Sequence, residues 1–300
     1  MSNKPIIVVF TATGKTGGGF IDAVLKDGSF APWAVTRYPD SDAARALAAR
    51  GVEVVKADLN DPASLLPIMN GAYGVLGVTD FWEAFHAEEK QGKDLVDAAK
   101  AAGIQHFVWS TLEHSEINVP HWETKARVDD YLKSTGLPRT SVCTSFFHEN
   151  IGNRFLFPVK QNQTTDGKAL IEWPIKTDGA TPMIYAHDIG VACLEAFKHP
   201  DQWIGKDMWL ISEWRTPREI AQIISEELDI EVVIKEVDDL QWKTNRRISD
   251  FEELWLNMEL FYVTYPHGNG RDIASTTRLI PELVLFRDYV KLRGRSLLSQ

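Results

Sequence analysis

The chain has 300 residues, 44% of them hydrophobic and 25% charged, which excludes a disordered polymer and suits one large domain or a domain with an appended lobe. A net charge of -10 and a pI near 5.3 argue against direct nucleic-acid or anionic-membrane binding, yet leave room for a local basic pocket that takes a phosphate. Cys143 and Cys193 both stand in apolar contexts without metal-ligand spacing, and no apolar run approaches membrane-spanning length, so a cytoplasmic protein with no metal is expected, nuclear access being left open.

Residues 6–9 (Ile-Ile-Val-Val) read as a strand buried on both faces. The strand breaks into Thr11-Ala12-Thr13-Gly14-Lys15-Thr16-Gly17-Gly18-Gly19 and then into helical spacing. Gly14, Gly17 and Gly18 let the backbone approach a ligand, with peptide N–H groups at a helix start suited to a pyrophosphate. Lys15 and Thr16 could add a cation and a hydroxyl, and Thr11 and Thr13 complete the loop assigned to a cofactor. The bland alternative is an ordinary tight turn between strand and helix.

Residues 33–36 form a second strand, at whose end a dinucleotide fold reads the adenosine ribose. An acidic residue there bonds a 2′-hydroxyl, whereas an arginine accommodates a 2′-phosphate. This chain has Thr36-Arg37, which points to NADP(H); a solvated surface arginine is the alternative. A helix over 41–50 and a third strand over 52–58 complete a βαβαβ unit, placing Asp58 and Leu59 at its rim, with Asp58 near the adenine amino group. Residues 71–79 give a fourth strand that lays Val78 and Thr79 along the cofactor. A long amphipathic helix over 88–102 and a fifth strand over 105–111, carrying Ser110, follow. This alternation predicts an α/β fold with a Rossmann-type doubly wound parallel sheet.

Further on, 140–144 reads as a sixth strand, 161–174 as a short hairpin or excursion, and 182–190 as the opening of a helix reaching about Lys198. A strand over 206–212, a helix started by Thr216-Pro217-Arg218-Glu219 and a strand over 230–237 are assigned to a smaller C-terminal α/β lobe. Residues 240–265 look helical and unusually aromatic, with Trp242, Phe251, Trp255, Phe261 and Tyr262 as lobe core, cavity lining or subunit contact.

Ordered along the chain are Thr13-Gly14-Lys15-Thr16-Gly17-Gly18, Thr36-Arg37, Val78-Thr79-Asp80-Phe81-Trp82-Glu83, Gln91-Gly92-Lys93, His106-Phe107-Val108-Trp109-Ser110, Pro120-His121-Trp122-Glu123-Thr124-Lys125, Phe146-Phe147-His148-Glu149-Asn150 and Arg271-Asp272. Through these landmarks the sequence resembles the NmrA-like branch of the atypical short-chain dehydrogenase/reductases over nearly its whole length. The resemblance implies an NADP(H)-binding Rossmann domain over 1–155 and a smaller substrate or effector lobe over 156–300, with some segments returning to the Rossmann body. It also implies that Phe146 meets the cofactor, and that Phe81, Trp82, Phe147, Glu149 and Asn150 shape a substrate pocket. Core packing of Phe146 and Phe147 is the alternative. The family loop commonly has glycine where this chain has Thr11, so a positive φ there would strain the threonine.

Typical members of the superfamily carry a Tyr-x-x-x-Lys pair, the tyrosine being the proton donor. This chain has His121 in the tyrosine's place and Lys125 four residues on, sharing one helix face. Ser110 stands where the superfamily has its catalytic serine. Lys125, His121 and Ser110 are therefore the catalytic candidates. Lys125 could instead hold ribose without moving a proton, and His121 could cap the helix or pack in the core. Asp80 and Glu83 look like paired carboxylates but read better as helix capping, and His114 reads as a solvated loop residue. Two functions follow: an NADPH-dependent reductase of a small apolar carbonyl or conjugated substrate, or a nonenzymatic NADP(H) redox sensor that controls a protein partner, with a homodimer left open.

Overall fold

The buried run Ile6–Val9 became an interior strand because each of its side chains has a layer of helices to face. The computed structural model describes residues 4–116, 118–153, 157–162, 166–173, 179–235 and 270–299. Their strands, in chain order, are β1 Ile6–Val9, β2 Ala31–Thr36, β3 Glu53–Lys56, β4 Gly74–Gly77, β5 His106–Thr111, β6 Arg139–Cys143, β7 Phe146–Phe147, β8 Val159–Lys160, β9 Ala169–Glu172, β10 Thr181–Ile184, β11 Asp207–Trp209, β12 Glu213–Arg215, β13 Val232–Lys235 and β14 Leu298–Ser299. The helices used below are α1 Lys15–Asp27, α2 Asp42–Ala49, α3 Leu65–Met69, α4 Phe81–Ala84, α5 Glu88–Ala101, α6 Pro120–Thr135, α7 Ala186–Lys198, α8 Pro200–Trp203 and α9 Pro217–Leu228.

The chain divides into two compact units. The first comprises Met1–His114, His121–Thr144 and Ala186–Trp209. It holds a seven-stranded sheet in the order β11-β6-β5-β4-β1-β2-β3, with every pairing parallel. From β1 the chain goes to β2 on one side and later to β4 on the other. The order therefore reverses at β1, and the crevice beyond the C-terminal ends of β1 and β4 is where such sheets take ligands. On one face Val8, Phe10, Val75, Phe107 and Trp109 pack with Leu65, Met69, Leu95, Val96, Val128 and Leu132, a core that fixes the strand ends carrying the site.

On the other face α1 and α7 meet at backbone level. A Cβ on Gly19 would lie 2.6 Å from the carbonyl oxygen of His187, and one on Gly190 would collide with the backbone of Phe20. The glycine cluster after β1 thus serves two ends: Gly17 lets the turn fold against Thr11, while Gly19 sets helix packing.

The second unit comprises Ser115–Pro120, Ser145–Tyr185 and Leu210–Gln300. It has one sheet in the order β12-β10-β7 and another in the order β13-β9-β8-β14. Helix α9 starts with a capping box in which Thr216 and Glu219 bond each other's backbone N–H groups. His148 is buried among Tyr185, Phe286 and Tyr289, its Nε2 3.3 Å from Ser212 Oγ.

Two expectations are corrected. Residues 207–209 do not belong to the lobe's sheets: β11 pairs with β6 at the edge of the parallel sheet, where Arg139 and Lys133 bind the Asp207 carboxylate. Residues 181–184 are strand β10 rather than the start of a helix, because they pair with β12 on one side and β7 on the other and both faces of the run are buried; the helix begins at Ala186. The aromatic stretch 240–265 lies outside the described residues.

Candidate functional site

The loop after β1 is built around Thr11, whose φ of 48° puts a β-branched residue in the left-handed region. Its hydroxyl is 2.8 Å from the Phe10 carbonyl oxygen and 3.3 Å from that of Val78, so it spans the ends of β1 and β4. Gly14 donates its N–H to the Thr11 carbonyl at 2.8 Å, and a Cβ on Gly17 would collide with that same carbonyl. Gly14 caps α1 without any side-chain bond. Thr13, Gly14 and Lys15 are exposed while Thr16 is buried. An exposed backbone turn at the positive end of a thirteen-residue helix is a fitting cradle for a pyrophosphate.

At the end of β2, Arg37 makes an ion pair with Glu83 of α4 and lies over the Tyr38 ring at 5.3 Å. Asp80 caps α4 by accepting from the Trp82 N–H at 2.9 Å, as its sequence position implies. Asp58 folds back on its own turn, accepting from the Asn60 N–H at 2.9 Å, and Leu59 packs on the core.

The strongest grouping lies beyond β4. Lys125 Nζ donates to the carboxylate of Glu88, and is 3.1 Å from Thr79 Oγ1 and 3.2 Å from the Thr79 carbonyl oxygen. Glu88 is 0% exposed. Its Oε1 also accepts from Thr79 Oγ1 at 2.8 Å, and its Oε2 accepts from Thr124 Oγ1. A buried carboxylate is tolerable only with such partners. Sequence reading missed Glu88, which reads only as the first residue of an amphipathic helix; the available signal was its spacing, since α5 puts Glu88 on the same face as the buried Gln91, Gly92 and Leu95. The carbonyl of Lys125 is in turn held by Thr111 Oγ1 at 3.1 Å and Trp109 Nε1 at 3.3 Å, which fastens α6 to the end of β5. Ser110, beside them, is buried.

His121 is half-buried. Its ring centroid stands 5.7 Å from both Phe81 and Trp82 and 6.3 Å from Trp122. Its Nδ1 is enclosed without a hydrogen-bond partner among the described residues. Burial, with the Lys125 charge adding to it, pulls its pKa down to about 3, so the ring is neutral near pH 7. His114 is not free in solvent: Nδ1 is 2.9 Å from Glu123 and Nε2 2.8 Å from Asp130, and the hydrogen bond to Asp130, then that to Glu123, raises its pKa. Phe146, Phe147, Glu149 and Asn150 belong to the second unit, where the Phe146 ring lies 5.1 Å from Phe157 and 6.2 Å from Trp173.

Residues 3–279 match the model of the NmrA-like family, and the chain belongs to that family. An NmrA-like family domain-containing protein of Dictyostelium discoideum is 26% identical over 97% of this chain and 98% of its own length. An NmrA-like family domain-containing oxidoreductase of Aspergillus hancockii is 30% identical over 67% of this chain and 65% of its own. Among solved structures, NmrA, a negative transcriptional regulator in complex with NADP, superposes with a TM-score of 0.79 at 23% identity, over 97% of this chain and 95% of that one. The NADPH-dependent quinone oxidoreductase QOR2 of Escherichia coli, complexed with NADPH, gives 0.78 at 18% identity, over 95% and 99%. These likenesses share the fold described above. Among the described residues no helix is long and apolar enough to cross a membrane.

Proposed function

We propose that this chain is an NADP(H)-dependent reductase of a small apolar carbonyl or conjugated compound. The observation that carries the reading is the anchored Lys125 ammonium beside the aromatic shelf of Phe81, Trp82 and His121. It puts a fixed positive charge next to apolar rings at the rim of β4, an arrangement suited to a neutral substrate on which negative charge develops. The exposed turn over residues 13–15 would hold the pyrophosphate and Arg37 the 2′-phosphate, with Thr79 and Lys125 along the nicotinamide ribose. NADPH, when bound, supplies the hydride. Lys125 serves to position and to stabilise charge: its ammonium has three donors and three acceptors already around it. His121, neutral near pH 7, orients substrate by hydrogen bonding and is not the acid.

The regulatory alternative draws on the same features. The tyrosine of the superfamily pair is replaced by His121, which is neutral near pH 7, and one structural relative is a negative transcriptional regulator. The test is NADPH oxidation against a panel of aldehydes, ketones and enones, by wild type and Lys125→Met, with NADP⁺ titration of both as the binding control. The reductase reading expects turnover that falls at least tenfold in the variant; binding of NADP⁺ with no turnover on any compound would select the sensor.

A further inference from the structure

Both cations assigned to the cofactor are held by carboxylates of one short stretch, residues 81–88, with Glu83 on Arg37 and Glu88 on Lys125. The two pairs differ in kind. Glu88 is sealed in and receives three side-chain donors, whereas the Glu83 side chain is 55% exposed and that of Arg37 36%. An ion pair as open as this is weak. A phosphate presents more oxygens and more charge to the guanidinium fork than one carboxylate does.

We infer that Glu83 is a specificity-determining residue that occupies Arg37 until a 2′-phosphate displaces it, and that its release is passed to the aromatic shelf. This rests on the NADP(H) reading above. With a plain dinucleotide Glu83 has the opposite effect: paired with Arg37, its carboxylate stands beside the end of β2, where an acidic group can accept a hydrogen bond from the ribose 2′-hydroxyl. One side chain therefore opposes the phosphorylated cofactor and favours the unphosphorylated one, narrowing the preference that Arg37 creates.

The second half follows from where Glu83 sits. Helix α4 is four residues long, and the same turn carries Phe81 and Trp82. Phe85 ends it at φ 43° and ψ -116°, a conformation a bulky residue holds only under constraint. The Arg37–Glu83 pair ties this turn to the end of β2. Freed from it, the turn can relax and carry the Phe81 and Trp82 rings relative to His121.

The experiment is calorimetric titration of wild type, Glu83→Gln, Arg37→Ala and the double variant with NADP⁺ and NAD⁺. Glu83→Gln should tighten NADP⁺ roughly two- to fivefold, the scale of a half-exposed ion pair, and weaken NAD⁺. The gain for NADP⁺ should vanish in the Arg37→Ala background and shrink with added salt. In protein labelled with 5-fluorotryptophan, the resonance lost in Trp82→Phe should shift with adenosine 2′,5′-bisphosphate and not with 5′-AMP. Equal changes for NADP⁺ and NAD⁺ in Glu83→Gln, or no change while wild type binds NADP⁺, would overturn the role of Glu83. A Trp82 resonance indifferent to the bisphosphate would overturn the coupling. Wild type that binds no NADP⁺ would overturn the cofactor reading itself, and this proposal with it.

Discussion

Lys125 and Glu88 form an ion pair in which the carboxylate is wholly buried and the lysine side chain is 16% exposed. Such a pair is strongly asymmetric in its response to mutation. Removing one partner leaves a charge without compensation in a place that water reaches poorly.

Glu88→Ala is therefore expected to cost about 3–5 kcal/mol. Glu88→Gln keeps the shape and a carbonyl acceptor for one threonine hydroxyl, and should cost less, about 1–3 kcal/mol. Urea unfolding measures both. Losses within about 0.5 kcal/mol, as for ordinary surface substitutions, would show that the network does not hold the rim together.

At Thr11 the backbone and the side chain pull in opposite directions. The left-handed conformation costs an L-residue roughly 1–2 kcal/mol, while the hydroxyl's contacts with Phe10 and Val78 return about 1 kcal/mol. Thr11→Gly, which trades strain for chain entropy, should change stability by less than about 1 kcal/mol. Thr11→Val keeps the strain, loses the hydroxyl, and should cost about 1–3 kcal/mol. Thermal unfolding that ranks glycine below valine would refute this account.

The histidines make stability depend on pH in two senses. Burial depresses His106 to about 4 and His148, with Arg215 nearby, to about 3. The unfolded chain takes up those protons near the ordinary 6.5, so stability is full above that value and falls as the pH drops, by roughly 1.4 kcal/mol per pH unit for each. His114 acts oppositely. Its folded pKa is raised by Asp130 and Glu123, so its contribution, at most about 1 kcal/mol for a half-exposed group, is present below 6.5 and lost as the pH rises through the raised value. Urea midpoints across mildly acid to mildly alkaline buffers should fall steeply on the acid side and less steeply for His106→Gln; His114→Gln should remove a shallow decline on the alkaline side. An acid limb unchanged in His106→Gln would contradict the assignment.

The parts of this fold that sequence conveys well are those with a local cause. The run Ile6–Val9, the turn that follows and the Thr216-Glu219 box each specify themselves within a few residues, and each is where local chemistry puts it. Thr79 and Lys125, named from separate stretches, touch. What stayed hidden is non-local. The side of the chain on which Asp207–Trp209 pairs is decided by a free edge at β6 and by Arg139, neither of which is near it in sequence. Glu88 was obscured because charged residues at helix starts are usually solvated, and its burial depends on Thr79, Thr124 and Lys125 converging from other elements. Likewise the Arg37–Glu83 pair joins residues whose separate readings, cofactor anchor and helix cap, gave no reason to connect them.

The backbone-level meeting of α1 and α7 has a consequence for how the first unit forms during synthesis. Its opening 114 residues supply five of the seven parallel strands, yet the helix that Gly19 needs as a neighbour begins at Ala186 and the last edge strand ends at Trp209. A nascent chain halted before that point leaves Phe20 and the adjoining sheet face without α7 and its Phe197. Closure of this unit waits on long-range contacts and is correspondingly slow. Until residue 209 has left the ribosome, the turn after β1 rests on a helix that is packed on one side only.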